Sequence, residues 1–183
     1  MELHPGALGT NSRSRMTDAN RFAKLYRQHS VRIFRFALQM SGSPAAAEEV
    51  TQETFLTLMD RPDLFDPARG EIGPFLFGVA RNLVRRHLER DRKFECMDDN
   101  AEGFSTNEDI LGDLTRRENI QALKDAILVL PPKYREAVVL CDLHEMSYEA
   151  AAAVMECPVG TVRSRLNRAR SMLLAKLQAR CLV

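Results

Sequence analysis

The chain has 183 residues, of which 45% are hydrophobic and 28% are charged, with nine glycines, eight prolines and no tryptophan. This composition is typical of one or two globular domains and excludes a collagen-like or low-complexity polymer. No run approaches the roughly 20 apolar residues that a membrane span needs. The first 15 residues also lack the apolar stretch of a secretory signal. We therefore expect a cytoplasmic protein that makes no membrane contact of its own.

The formal net charge of +1 conceals a strong segregation of charge along the chain. Residues 81–93 hold six basic and two acidic side chains, whereas residues 158–180 hold six basic and no acidic ones. Between these two patches, residues 94–115 hold seven acidic side chains and no basic ones. Basic patches of this kind are the electrostatic footprint of proteins that bind polyanions.

Cysteine and histidine spacing gives no sign of a metal site or a disulfide framework. The four cysteines include no C-x-x-C pair, and the four histidines do not cluster with them. The sequence also has no phosphate-binding glycine loop and no pairing typical of a catalytic nucleophile and its base. We therefore expect reduced thiols, no metal, no cofactor and no enzymatic activity.

The first half of the chain is predicted to contain three helices after a disordered tail at residues 1–15. Apolar residues recur at helical spacing from Phe22 and stop at Gly42, which favours a helix end. Ser43 and Pro44 are then typical of a helix start. Residues 60–73 are rich in Pro, Gly and Asp and predict a loop, after which Pro74 opens a third helix.

The second half follows an acidic segment, residues 94–118, that we interpret as a flexible linker between two small helical domains. Pro131 and Pro132 end one helix and begin another, which runs to about His144. Ser147 is predicted to cap a short alanine-rich helix that ends near Met155. A last helix has an apolar face formed by Val162, Leu166, Ala169, Leu173 and Leu177. No strand alternation is present, so the predicted fold class is all-α.

The last two predicted helices have the spacing of a helix-turn-helix. The polar face of the second helix carries side chains that can bond bases or phosphates in a major groove. The residues that we assign to this face, with the proline before it, are Pro158, Thr161, Arg163, Ser164, Arg165, Asn167, Arg168 and Arg170. An alternative is that the face is a solvated charge run, which the absence of offsetting acidic residues makes less favourable.

Two sequence motifs then point to one family. The segment S-Y-E-A-A-A-A-V-M-E-C-P-V-G-T-V-R-S-R-L-N-R-A-R at residues 147–170, preceded by L-P-P-K-Y-R-E-A, closely resembles the second DNA-binding domain of extracytoplasmic-function (ECF, group IV) sigma factors of the sigma-70 family. In the first half, A-E-E-V-T-Q-E-T-F-L at residues 47–56 resembles the family's polymerase-binding helix. F-L-F-G-V-A-R-N-L at residues 75–83 resembles its promoter-melting segment.

The resemblance implies a role for each patch. Region 2 would span residues 16–93 and region 4 residues 119–183, and the helix-turn-helix would recognise the minus-35 promoter element. Glu49, Gln52 and Glu53 would contact core RNA polymerase. The loop and third helix would capture a flipped base and the phosphates of the minus-10 element. The residues implied in that role are Phe65, Arg69, Arg81, Asn82, Arg85 and Arg86.

The expected partners are core RNA polymerase, promoter DNA and an anti-sigma factor. An autonomous helix-turn-helix regulator of transcription is the alternative function, and a protein-interaction module is a second one. The match in the first half favours the sigma factor, because an autonomous regulator has no need of a polymerase-binding helix.

Overall fold

The computed structural model describes residues 10–95 and 114–181, and every regular element in these ranges is helical. The predicted all-α class is therefore confirmed. Packing divides the chain into a first unit that ends at Val31 and a compact second unit, Arg32–Val183. None of the helices in the described ranges is long and apolar enough to cross a bilayer.

Helix α1 spans Thr10–Ser41. The prediction of a disordered tail over residues 1–15 is wrong for residues 10–15, which are helical, while residues 1–9 lie outside the described part. No Pro or Gly interrupts the sequence from residue 10 to residue 41, so nothing local stops the helix from extending. As predicted, it ends at Gly42, whose φ of 75° is a left-handed conformation that glycine adopts without strain.

Helices α2, Pro44–Asp60, and α3, Ile72–Glu95, form an N-terminal bundle with residues 32–41 of α1. The Ser43 hydroxyl accepts a hydrogen bond from the Ala46 amide, which confirms the predicted cap of α2. The predicted loop contains two 3₁₀ turns, Pro62–Leu64 and Pro67–Arg69. Helix α3 begins two residues before Pro74, because a proline in the first turn costs no intrahelical hydrogen bond.

A C-terminal bundle follows, with α4 at Leu114–Leu128 and α5 at Pro132–Val138. A π-helical turn, Val139–Leu143, continues α5, and α6 spans Tyr148–Met155. The last helix, α7, spans Val159–Cys181. The ends of the predicted linker are helical, since α3 reaches residue 95 and α4 begins at residue 114. Its central part, residues 96–113, lies outside the described residues.

The core of the C-terminal bundle is the predicted apolar face of α7. Val162, Leu166, Ala169 and Leu173 are buried, and α7 packs on α4, α5 and α6. The core of the N-terminal bundle is formed by large apolar side chains such as Phe36, Phe77 and Leu76. The two bundles also pack on each other, chiefly through α3 and α6, within the second unit.

The short helix α6 depends on its cap. The Ser147 hydroxyl accepts a hydrogen bond of 3.1 Å from the Ala150 amide. We expect Ser147→Ala to lower the free energy of unfolding by about 1 kcal/mol, because one amide of the first turn loses its partner. Urea denaturation of the full chain measures this change. Ser171→Ala, at an exposed position inside α7, is the control and is expected to cause no loss. Equal effects of the two substitutions would contradict the capping role.

Candidate nucleic-acid and polymerase interfaces

Helices α6 and α7 are joined by a tight turn at residues 156–158, which gives the geometry of a helix-turn-helix. Glu156 ends α6 in a left-handed conformation, with φ 51° and ψ 47°, a common way of closing a helix. On α7, the side chains assigned to DNA lie opposite the buried apolar face. Pro158, Arg163, Ser164, Asn167, Arg168 and Arg170 are exposed, and Thr161 and Arg165 are half-buried.

Two arginines of this face contact neighbouring tyrosine side chains. The Arg163 guanidinium lies 5.5 Å from the ring centroid of Tyr148, in a cation–π contact. Arg168 donates to the Tyr134 hydroxyl at 3.5 Å, which lowers the pKa of that hydroxyl. Both Arg163 and Arg168 are exposed in these contacts.

Arg170 is held differently, by a charged partner. Its Nε donates to Oδ2 of Asp142 at 3.0 Å and its Nη2 to Oδ1 at 2.5 Å. This two-point ion pair ties α7 to the π-helical turn and offsets the positive charge of Arg170. Arg170 is accordingly less available to DNA than Arg163 and Arg168, which have no acidic partner among the described residues.

The predicted minus-10 residues are distributed over the segment of the 3₁₀ turns and over α3. Phe65 is half-buried and its ring lies 5.4 Å from that of Phe75, so the two aromatic residues form a wall between the 3₁₀ turns and α3. Asn82 and Arg85 are exposed on α3. Arg86 is also exposed on α3, and its guanidinium lies 3.7 Å from a carboxylate oxygen of Glu53. Arg69 is the last residue of the second 3₁₀ turn.

Arg81, which the resemblance implies as a minus-10 residue, is not exposed on α3 as Asn82 and Arg85 are. It is only 6% exposed, because it follows Phe77 by one helical turn and points with that side chain into the contact between the bundles. Its Nε donates to Oε1 of Glu136 at 3.1 Å, and Glu136 is 4% exposed. Its Nη1 also lies 4.0 Å from Oε2 of Glu156. In this arrangement Arg81 is not available to DNA.

His144 fills another part of the contact between the bundles. Its ring meets those of Phe36 and Phe77 edge-on, with centroids 6.1 and 5.0 Å away. Its Nε2 lies 3.0 Å from the Gln39 side-chain oxygen, and its backbone oxygen accepts a hydrogen bond of 3.0 Å from Arg32. Burial, with the positive charges of Arg32 and Arg35, lowers the pKa of His144 to about 4.

Arg135 adds backbone contacts to the same interface. Its guanidinium donates to the backbone oxygens of Met40 in α1 and of Leu128 in α4, and to that of Leu130 at 3.2 Å. Gly42 approaches closely here, since a Cβ atom at this position would lie 3.2 Å from Cδ1 of Leu128. We call the whole set the interbundle contact: Arg32, Phe36, Gln39, Met40, Gly42, Phe77 and Arg81 against Leu128, Arg135, Glu136, His144 and Glu156.

The predicted polymerase-binding residues lie together on α2. Glu49 and Gln52 are exposed and Glu53 is half-buried. Glu49 lies 3.6 Å from Nε2 of His87 and 3.8 Å from Arg90 of α3. Ligand atoms of Glu49, Glu53 and His87 lie within 4.8 Å of one another, a spacing that can accommodate a cation. Arg86 and Arg90 already supply positive charge to these carboxylates, so the arrangement is that of a surface ion-pair network.

Glu136, His144 and Arg135 are not among the residues predicted from the sequence. Glu136 had one usable signal, because it lies a helical turn before Leu140 within an apolar run. An acid on an apolar face requires a buried cationic partner. Nothing in the local sequence indicates that the partner is Arg81, which lies 55 residues away.

Comparisons with known proteins agree with this geometry. Residues 25–94 match the family model described as "Sigma-70 region 2", and residues 120–173 match "Sigma-70, region 4". The chain is 37% identical over 142 residues to "ECF RNA polymerase sigma factor EcfG" of Rhodopseudomonas palustris, a match that covers 78% of this chain and 77% of that protein. The chain belongs to the ECF RNA polymerase sigma factors.

Other sigma factors match over different shares of their length. The chain is 33% identical over 156 residues to SigE of Mycolicibacterium smegmatis, with 82% of this chain and 59% of SigE covered. The chain thus spans less than two thirds of the length of this relative.

Among solved structures, similarity is found to RpoE of Bartonella quintana in complex with the anti-sigma factor NepR. The TM-score is 0.73 and the identity 26%, covering 86% of this chain and 97% of RpoE. CnrH in complex with the cytosolic domain of CnrY gives a TM-score of 0.67 at 27% identity, covering 88% and 90% of the two chains. In sigma-factor terms, the interbundle contact joins elements of region 2 to elements of region 4.

The low pKa of His144 makes the stability of this sigma factor depend on pH. Exposed histidine has a pKa of 6.5, whereas His144 has a pKa of about 4, so the folded protein binds fewer protons than the unfolded chain between these values. The contribution of neutral His144 is therefore complete above about pH 6.5 and is lost as the pH falls toward about 4. We expect the loss to reach at most about 3 kcal/mol.

Urea unfolding between about pH 7.5 and 4.5 measures this effect. His144→Gln retains an amide beside Gln39 and removes the titrating ring, so its stability should fall less steeply toward acid pH than that of the wild type. Parallel profiles for the two proteins would show that His144 is not the group responsible.

Proposed function

We propose that this chain binds core RNA polymerase and directs it to promoters with minus-35 and minus-10 elements. Residues 119–183 act as region 4 and residues 16–93 as region 2, with residues 94–118 as the linker. The observation that carries the proposal is the exposed cationic face of α7 on a helix-turn-helix. Residues 158–180 contain no acidic side chain, so nothing on this helix offsets attraction to DNA phosphates. The region 2 match favours a sigma factor over an autonomous regulator.

Each part of the minus-10 site has a chemical role in this proposal. The aromatic wall of Phe65 and Phe75 provides a stacking surface for an unpaired base. The exposed Asn82 offers a donor and an acceptor to a base edge, and Arg85 provides a cation for the backbone. Arg69, Arg81 and Arg86 complete the proposed set, Arg81 only after it is released from Glu136.

The polymerase-binding surface is proposed to be the face of α2 that carries Glu49, Gln52 and Glu53. Its exposed carboxylates and amide suit a partner with basic residues. We also propose an anti-sigma factor that covers this surface and the basic faces, since two similar solved structures are sigma and anti-sigma complexes. In this function the chain works in the cytoplasm and performs no catalysis, because RNA synthesis belongs to the polymerase.

The recognition helix provides the first functional test. We expect Arg163→Ala or Arg168→Ala to cost about 1–3 kcal/mol in promoter affinity, because a cation that reads a base or phosphate is lost. Binding of the reconstituted holoenzyme to a set of minus-35 variants measures the cost. A base contact lowers the discrimination at one position, whereas a phosphate contact weakens all sequences alike. Lys176→Ala, which removes an exposed cation further along α7, is the control. Wild-type binding by both arginine variants would place α7 outside the groove.

The polymerase surface provides a second test. We expect the double substitution Glu49→Lys and Glu53→Lys to weaken binding to purified core polymerase by about tenfold or more, because it places like charges against a basic partner. Glu89→Lys reverses an exposed charge on α3 and is the control. Circular dichroism checks that each variant is folded. Equal affinities of the double variant and the control would contradict this placement.

A further inference from the structure

A buried ion pair connects the two DNA-binding regions of the chain. The side chains of Arg81 and Glu136 are 7% and 6% exposed, and their charged atoms are 3.1 Å apart. Arg81 belongs to region 2 and lies in the segment that resembles the promoter-melting motif, whereas Glu136 belongs to α5 of region 4. A carboxylate binds guanidinium through the same kind of charge-assisted hydrogen bonds as a phosphate. Glu136 thus pairs with the Arg81 guanidinium, which region 2 would otherwise offer to DNA.

We propose that Glu136 is an intramolecular latch, which holds regions 2 and 4 closed by taking the place of a promoter phosphate on Arg81. In the closed form Arg81 is paired with Glu136 and cannot contact DNA. In the open form Arg81 is free of Glu136 and can bind a DNA phosphate. The proposal rests on the proposed function, since it takes Arg81 to be a DNA-contacting residue. It adds that the Glu136 carboxylate of region 4 competes with DNA for the Arg81 guanidinium.

The surrounding contacts explain how the latch holds. The side chains of Arg81 and Glu136 have little contact with water, which strengthens the attraction between them. One helical turn before Arg81, Phe77 packs against Phe36 and His144 and so adds an aromatic contact between the regions. Arg32 of region 2 donates to the His144 backbone oxygen at 3.0 Å, so the regions are also joined at the edge of the contact.

The pair also has a feature that favours release. Nη1 of Arg81 is buried and makes no hydrogen bond in the described part of the chain, and it lies 4.0 Å from a carboxylate oxygen of Glu156. A buried guanidinium that is only partly satisfied has lost hydration that its partners do not fully replace. Phosphate oxygens at an open site can satisfy more of its donors, so DNA can compete with Glu136.

Two measurements on the full chain test the latch. The first is the distance between spin labels at positions 60 and 171, attached through keto amino acids so that the native cysteines stay in place. Asp60 is in region 2, Ser171 is in region 4, and both are exposed. The wild type should give one short distance, and Glu136→Gln, which leaves Arg81 without its counterion, should give a longer and broader distribution.

The second measurement is transcription from a cognate promoter with purified core polymerase, as a function of sigma concentration. Opening the latch should lower the concentration for half-maximal transcription by about tenfold, because more of the free chain is competent to bind. Arg32→Gln removes an exposed contact at the edge of the same interface and should shift both readouts in the same direction by a smaller factor. It keeps the test valid if Glu136→Gln fails to fold. Glu118→Gln, at an exposed position in the first turns of α4, should leave both unchanged.

The outcomes separate the latch from the proposed function. A short distance in both Glu136→Gln and Arg32→Gln would overturn the latch, whatever the transcription result. An increased distance without increased transcription would show that closure does not inhibit, and would also overturn it. If the wild-type chain supports no promoter-specific transcription at any concentration and does not bind core polymerase, the proposed function itself fails.

Discussion

The burial of Arg81 places a constraint on the rest of the fold, because a guanidinium can leave water only where a charged partner meets it. Glu136 meets that requirement across the interbundle contact at 3.1 Å. The pair fixes how α3 faces α5, since the guanidinium and the carboxylate must approach within hydrogen-bond distance. In that orientation His144 packs edge-on against Phe36 and Phe77, and Arg135 reaches the backbone oxygen of Met40. The closed arrangement of the two bundles therefore follows from one electrostatic requirement and the apolar packing around it.

Local signals in the sequence were sufficient to predict most helix boundaries and buried faces of this fold. Ser43 with Pro44 begins α2, Pro131 with Pro132 separates α4 from α5, and the apolar period of α7 predicts which of its side chains are buried. These signals act within a few residues, so they can be evaluated without knowing the tertiary structure. The start of α1 was misplaced because a polar segment with no breaker residue is ambiguous between coil and helix.

The site was less predictable, because its key pairing is long-range. Asn82, Arg85 and Arg86 are exposed as their helical spacing suggests, but Arg81 shares a face with Phe77 and is buried. The helical spacing of Arg81 from Phe77 was sufficient to predict that Arg81 is buried while its neighbours are exposed. The identity of its partner was not predictable, because 55 residues separate Arg81 from Glu136 and several acids of the second half are equivalent in sequence terms. Charge counts along the chain likewise locate the basic patches without showing that a residue of one patch is already neutralised.

Closure also bears on how partners can bind. In the proposed function the two bundles occupy promoter elements that are two helical turns, or roughly 70 Å, apart, so bundles joined through α3 and α6 separate before both elements are bound. If closed molecules outnumber open ones by about 100 to 1, every partner that needs the open form binds about 100-fold more weakly. Conversely, a partner that binds only the closed form loses almost no affinity to this equilibrium, because most molecules already have Arg81 paired and the interbundle contact formed. A regulator that recognises both bundles together would therefore stabilise the closed form with no need to bury Arg81 itself. In the proposed function, polymerase and DNA instead offset the loss of the Arg81–Glu136 pair with contacts that exist only when the chain is open.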